Sequence, residues 1–212
     1  MERYQVNRLY VQKSFALFGM LGPIINVIVF TVLGFIYPGY NPMSQQVSEL
    51  ATSIAPHQIV MNTLGFNLFG FYVIVFGIGL YIGIKKQTLT KVSLILFIIT
   101  GIFIFALAWF PCDPGCGNQT ITGIGHTILT TISGIMMPLA IILLIHPLRN
   151  DHNWRGYWWF FFVLLGIFLT IFSPLMILYS FSLISGLVQR LGLSVPLSWI
   201  FVMSTKLYRL AD

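Results

Sequence analysis

Twenty consecutive residues, Lys91 to Phe110, read KVSLILFIITGIFIFALAWF and carry one charge, at the first position. A run of about 18 apolar residues is long enough to cross a bilayer as a helix. In hydrocarbon, only a helix or a closed barrel satisfies its own backbone polar groups. Five more runs of this kind lie at about 14–37, 58–84, 124–146, 157–183 and 189–207. The first is too long, and too weakly flanked by a cleavage site, to be a removed signal peptide. The expectation is therefore an all-α polytopic membrane protein. Six transmembrane helices, including 91–110, form one domain over residues 1–212. Only 8% of the residues are charged, against roughly 25% in soluble domains, and the spans leave no room for a soluble catalytic domain.

The positive charges orient the chain. Arg3, Arg8 and Lys13 precede the first run, and Lys85, Lys86 and Lys91 lie between the second and third. Arg149 and Arg155 separate the fourth and fifth, and Lys206 and Arg209 close the chain. With six spans these ten fall on one side and Arg190 alone on the other. The positive-inside rule then makes both termini cytoplasmic, in the cell's inner (plasma) membrane. Trp154, Tyr157, Trp158 and Trp159 form an aromatic belt at the cytoplasmic entry of the fifth span. The net charge of +6 is thus an orientation signal with weak attraction to anionic lipids, and no nucleic-acid partner is expected.

Orientation sorts the chemistry by side. The cytoplasmic links are short and basic. The outer links, PGYNPMSQQVSELATSIAPH (38–57) and PCDPGCGNQTITG (111–123), hold Ser48, Glu49, His57, Asp113, Cys112 and Cys116. His126 lies just below them, and Gln189 and Arg190 at the outer start of the sixth span. Polar groups this close to hydrocarbon are costly and face a protein interior or a wet cavity. The outer mouth is the candidate site. Cys112 and Cys116 lie where disulfides persist, and the intervening Asp-Pro-Gly favours a tight turn. A disulfide there would fix the direction of Asp113; a metal-binding or redox pair is the alternative.

Three readings stand for the outer charges. In the first, Arg190 pairs with Asp113 or Glu49 and locks the last helix to the loops, because buried charges are normally paired. In the second, Arg190 and Gln189 hold a phosphate or carboxylate headgroup while Asp113, Glu49 and His126 move protons or bind a cation. In the third, His126, His57 and a carboxylate bind zinc, although no metal motif supports it. His126, Thr130 and Ser133 share one helix face with Gly134 beside them. That face either lines a cavity or packs against a neighbouring helix. Asn26, Asn62 and Asn67 extend the polar inventory inward and favour a polar cavity, which kinks at Pro138, Pro174 and Pro196 would widen.

Several chemistries are excluded. No mid-helix lysine is placed for a retinal Schiff base, and no phosphate or dinucleotide loop is present. The histidines sit at opposite edges, against a pair of bis-histidine haems, while one haem between His57 and His126 stays open. No metal and no cofactor are predicted. No ionisable group sits mid-bilayer, as a proton-coupled carrier would need.

The ordered set VSEL (Val47–Leu50), FPCDPG (Phe110–Gly115), His126, GLVQR (Gly186–Arg190) and Trp199 resembles the prokaryotic membrane family known as domain of unknown function 998. The resemblance covers nearly the whole chain. It implies a six-helix membrane protein with its marked residues at one face, and it supplies no activity. Ser48, Glu49 and His126 also resemble the Ile-Ser-acid motif and early helix-4 histidine of the eukaryotic DRAM-type membrane proteins, which implies lipids as the ligand class.

Two functions follow. The first is a module that binds a lipid headgroup, a membrane-protein partner or a second copy of itself at the outer mouth. The alternative is an intramembrane lipid hydrolase or acyltransferase. There Asp113 or Glu49 would work with His126, and Ser48 would be the nucleophile only if folding brings the histidine to it.

Overall fold

The computed structural model describes residues 2–167 and 181–211, and among these the regular structure is all helical, with no strand. Helix α1 is Glu2–Ile36, α2 is Gln58–Gly83, α3 is Thr88–Ala106, and α4 is Ile121–Arg149. Helix α5 starts at 160 and is described to 167; α6 is Phe181–Arg209. Among the described residues, five helices are long and apolar enough to cross a membrane: Leu9–Ile36, Gln58–Gly83, Thr88–Trp109, Ile121–Arg149 and Leu183–Arg209. The expected span at 157–183 overlaps α5 from 160, its last residues 181–183 belong to α6, and 168–180, including the expected kink at Pro174, lie outside the described residues.

Several helices begin earlier than hydropathy suggests. The last starts by Phe181 rather than 189, so Gln189 and Arg190 lie more than two turns inside α6. A hydropathy window sees the apolar centre of a helix, whereas the backbone ladder continues into polar flanks wherever another segment covers them.

The helices pack through aromatic and glycine contacts. Phe76 of α2, Phe97 of α3 and Trp199 of α6 are each almost fully buried. Phe76 meets the other two rings edge-on at 5.5 and 5.8 Å, an arrangement that contributes about 0.5–1.5 kcal/mol per pair beyond area burial. Helices α2 and α3 approach backbone to backbone at Gly70 and Gly101. A Cβ on Gly70 would sit 2.5 Å from the Gly101 carbonyl oxygen, so any larger residue separates the helices. Without a hydrophobic drive between helices in lipid, such close packing is what holds them together. Large apolar side chains such as Phe35, Ile59 and Ile121 remain on the outside.

The bundle has two chemically distinct ends. At one, Gln12 Nε2 donates to the Leu207 carbonyl (3.0 Å), Trp154 Nε1 to the Gly83 carbonyl (2.9 Å), and Lys85 N to Asp151 Oδ2 (2.9 Å). This basic end gathers the beginning of α1, the end of α6 and the α2–α3 link. Lys13, Lys86, Arg149 and Lys206 lie over aromatic rings there, at 5.3–5.7 Å. The disulfide loop, the Val47–Ala51 turn and Arg190 occupy the opposite end.

Helix α2 opens into a π-helical stretch, Met61–Asn67. Such wide turns loosen the backbone ladder, and neighbouring amides lie against it. Asn26 Nδ2 donates to the Gly65 carbonyl at 2.8 Å, and Asn67 Nδ2 to the Phe105 carbonyl at 2.7 Å. Two of the three asparagines expected to mark a cavity thus join helices to one another. The Asn62 Oδ1 is buried without a hydrogen-bond partner among the described residues.

Candidate functional site

The end opposite the basic one is assembled from four segments: loop 37–46, the 3-10 turn Val47–Ala51, the disulfide loop 110–120, and α6 around 185–190. Pro114 starts a turn that Gly115 completes at φ +71, a conformation open to glycine, and Cys116 N donates to the Asp113 carbonyl at 2.7 Å. Cys112 and Cys116 are joined as a disulfide with Cα atoms 4.9 Å apart. Helix α4 begins next door, where Thr120 accepts from Gly123 N at 3.1 Å, the expected N-cap bond.

Asp113 is buried and faces this cap. Its Oδ2 accepts from Gln119 N (2.8 Å) and Thr120 N (3.0 Å), and its Oδ1 from Thr120 Oγ1 (2.7 Å). These bonds, the Thr120 hydroxyl first, hold its carboxyl below the ordinary value of 3.8, against the opposing effect of burial. A Cβ on Gly123 would collide with the carboxylate. Asp113 therefore ties the disulfide loop to the start of α4.

Arg190 has different partners from the expected ones. Its Nη1 donates to the carbonyls of Pro42 (2.7 Å), Gln45 (2.9 Å) and Gly186 (3.0 Å), and its Nη2 to the Tyr40 hydroxyl (2.5 Å). The guanidinium also lies 5.6 Å over the Tyr40 ring. None of these bonds goes to Asp113 or Glu49, so the expected ion pair gives way to a carbonyl cradle. The physical reason is local. Loop 40–46 turns its carbonyls onto α6, with Leu187 N donating to the Met43 carbonyl (2.9 Å) and Ser185 Oγ to that of Ser44 (2.5 Å). At Gly186 a Cβ would collide with the carbonyl oxygens of Gln45 and Pro42. Tyr40, buried enough to hold its phenol above the ordinary tyrosine value despite Arg190, in turn donates to the Gln46 carbonyl at 2.9 Å.

Gln189 and Ser48 form a second link. Val47 N donates to Gln189 Oε1, Gln189 Nε2 reaches Ser48 Oγ at 3.4 Å, and Ser48 Oγ lies 3.2 Å from Cys116 Sγ. Helix α6, the VSEL turn and the disulfide are thus connected in series. Ser48 is buried, and its hydroxyl meets this sulfur and an amide rather than a histidine.

His126 is also buried, with its ring edge-on to Phe66 at 6.1 Å. Its Nδ1 lies 2.7 Å from the Phe110 carbonyl. A carbonyl only accepts, so Nδ1 carries a proton and donates it to Phe110. Thr130 and Ser133, on the same face, return their hydroxyls to carbonyls of their own helix at 2.8 and 2.7 Å. His57 is exposed at the start of α2. Among the described residues, no three His, Cys, Asp or Glu side chains come together as metal ligands, which removes the support for a zinc site built on His126 and His57.

Glu49 is half-buried. Its Oε1 accepts from Gln46 N at 2.8 Å, closing a capping box, and its Oε2 from Gln45 Nε2 at 3.3 Å. It lines a cleft of about 120 Å³ with Tyr37, Gln45, Thr52, Ile54 and the Pro114–Gly115 tip. Of the sequence-nominated residues, Ser48 and Gln189 come together, whereas Asp113, His126 and Arg190 each bind separate backbone groups. Tyr40 and Thr120 were missed, although a threonine just before an apolar run is a recognisable helix-start signal.

Apolar helices with polar groups gathered at the loop-covered end define a multi-pass membrane protein. The chain belongs to the family described as protein of unknown function (DUF998), whose model matches residues 20–206. That range includes the VSEL turn, the disulfide loop, His126 and the Gln189–Arg190 pair. No curated protein and no solved structure matches the chain.

Proposed function

We propose that this protein is a six-span membrane protein with both termini cytoplasmic, and that its disulfide end is an outer-face receptor for a lipid headgroup. The observation that carries the reading is the Glu49 cleft, set between the VSEL turn and the disulfide loop at the mouth of the bundle. Its walls are held from outside: Glu49 by the capping box, the Pro114–Gly115 tip by the disulfide and the Asp113–Thr120 bonds, and loop 37–46 by Arg190. At about 120 Å³ the cleft is smaller than a pocket that encloses a whole ligand, so it takes only the end of a headgroup. The sidedness of the lysines and arginines supports the orientation.

Non-catalytic binding is favoured over lipid hydrolysis or acyl transfer, because Ser48, His126 and Asp113 each engage other groups. The test is lipid content after purification in mild detergent. Ile54 is 65% exposed at the cleft rim, so Ile54→Trp fills the cleft without disturbing the core. Wild-type protein is expected to carry lipid by mass spectrometry and Ile54→Trp to lose most of it. Equal lipid content in both overturns the reading, and a co-purifying protein displaced by Ile54→Trp assigns the cleft to a partner instead.

A further inference from the structure

We infer that the Glu49 cleft recognises an organic ammonium group, primary or quaternary, of the kind that ends a zwitterionic headgroup. The inference rests on the headgroup reading above and specifies its chemistry.

Charge comes first. Among the described residues, Glu49 is the only charged side chain lining the cleft, so it presents negative charge to an entering group. Each carboxylate oxygen of Glu49 takes one hydrogen bond, from Gln46 N and Gln45 Nε2. A carboxylate offers about four acceptor positions, so capacity remains for a donor cation. The Thr52 hydroxyl donates to the Glu49 carbonyl at 2.9 Å, which leaves its oxygen able to accept as well.

Aromatic surface comes second. Tyr37 forms one wall and stacks on Tyr40, with ring centroids 5.8 Å apart and planes at 16°. Tyr40 already carries the Arg190 guanidinium, which shows these rings acting as a cation platform. An ammonium beside Tyr37 gains the same attraction.

Size and neighbourhood agree. The small cleft of about 120 Å³ has room for an ammonium or trimethylammonium group at the end of a headgroup. Gln45 touches both charged groups: its amide donates to Glu49 and its carbonyl accepts from Arg190. The guanidinium itself is held by the loop carbonyls and the Tyr40 hydroxyl, so the acid, and not Arg190, selects the entering group.

The test titrates the detergent-solubilised full chain, by native mass spectrometry, with dioleoylphosphatidylethanolamine, dioleoylphosphatidylglycerol and free ethanolamine. The ethanolamine lipid is expected to bind about tenfold more tightly than the glycerol lipid, a difference of ~1.4 kcal/mol. Glu49→Gln keeps a side chain that can close the capping box and is expected to abolish the preference. Tyr37→Leu, which leaves Glu49 in place, is expected to reduce it. Displacement of the ethanolamine lipid by millimolar free ethanolamine supports recognition of the ammonium itself and extends the source to soluble amines. Equal affinity for both lipids, lost together in Ile54→Trp, overturns the ammonium inference while the headgroup reading stands. A preference that survives Glu49→Gln also overturns it, and binding of neither lipid overturns both.

Discussion

Thr120 and Asp113 are bound to each other twice, hydroxyl to Oδ1 at 2.7 Å and backbone N–H to Oδ2 at 3.0 Å. The same hydroxyl caps α4 through Gly123 N. One side chain therefore starts a membrane helix and fastens the disulfide loop to it. Thr120→Ala is expected to lower stability by about 1 kcal/mol or more, the usual loss for an N-cap, and Thr120→Ser to restore most of it. Thermal unfolding in detergent, followed by tryptophan fluorescence, measures both.

The Asp113 latch also fixes a pH dependence. Its folded pKa lies below the ordinary 3.8, so the unfolded chain binds the proton more readily. The stabilisation is present above 3.8 and is lost as pH falls through the lower folded value. Unfolding midpoints from pH 6 downward are expected to drop at the acid end, and Asp113→Asn to remove that part of the drop.

Arg190 anchors a loop rather than a carboxylate. Arg190→Ala strands the carbonyls of Pro42 and Gln45 together with the Tyr40 hydroxyl. The expected loss is roughly 2–3 kcal/mol, since hydrogen bonds to charged groups contribute more than neutral ones. Arg190→Lys recovers only part, because an ammonium lacks the planar fork that reaches several acceptors at once. Gly186→Ala, which drives a methyl into the same carbonyls, is expected to mimic it. Non-additivity in the double variant, read by the same unfolding assay, checks that both act on loop 40–46.

What the sequence revealed follows from what it can display. Apolar runs expose their length, so the spans of α1 to α4 and of α6 were legible. The start of α6 at Phe181 was not, because its polar residues are covered by loop 40–46. Arg190 was legible as a charge set apart from the basic end. Its partners were not, since backbone carbonyls occur at every position and a pairing rule nominates only acids. Asp113 stood out between two cysteines, whereas Thr120 carried a helix-start signal that did not name Asp113 as its partner. The π-helical turn at Met61–Asn67 left no compositional trace at all.

The disulfide is expected to shape the cleft more than it stabilises the fold. Cys112 and Cys116 close a ring of a few residues, for which chain entropy gives about 2 kcal/mol or less. Cys112→Ser with Cys116→Ser is expected to shift the unfolding midpoint modestly and to weaken lipid retention clearly, because Pro114 and Gly115 form a cleft wall. Comparing the two readouts on one preparation separates the effects.

Orientation is open to a direct check. Ser53, near the cleft, and Lys86, at the basic end, are both exposed, and the native cysteines are joined to each other. In intact cells a membrane-impermeant maleimide is expected to label Ser53→Cys and to leave Lys86→Cys unmodified until the membrane is opened.

The central claim is that the Glu49 cleft holds a lipid headgroup, and photo-crosslinking from its rim tests this most directly. With p-benzoylphenylalanine at position 54, irradiation in native membranes followed by intact-mass spectrometry is expected to give adducts of phospholipid mass, suppressed by Glu49→Gln. Adducts that persist unchanged in Glu49→Gln would overturn the ammonium inference alone, and the absence of lipid adducts would contradict the central claim.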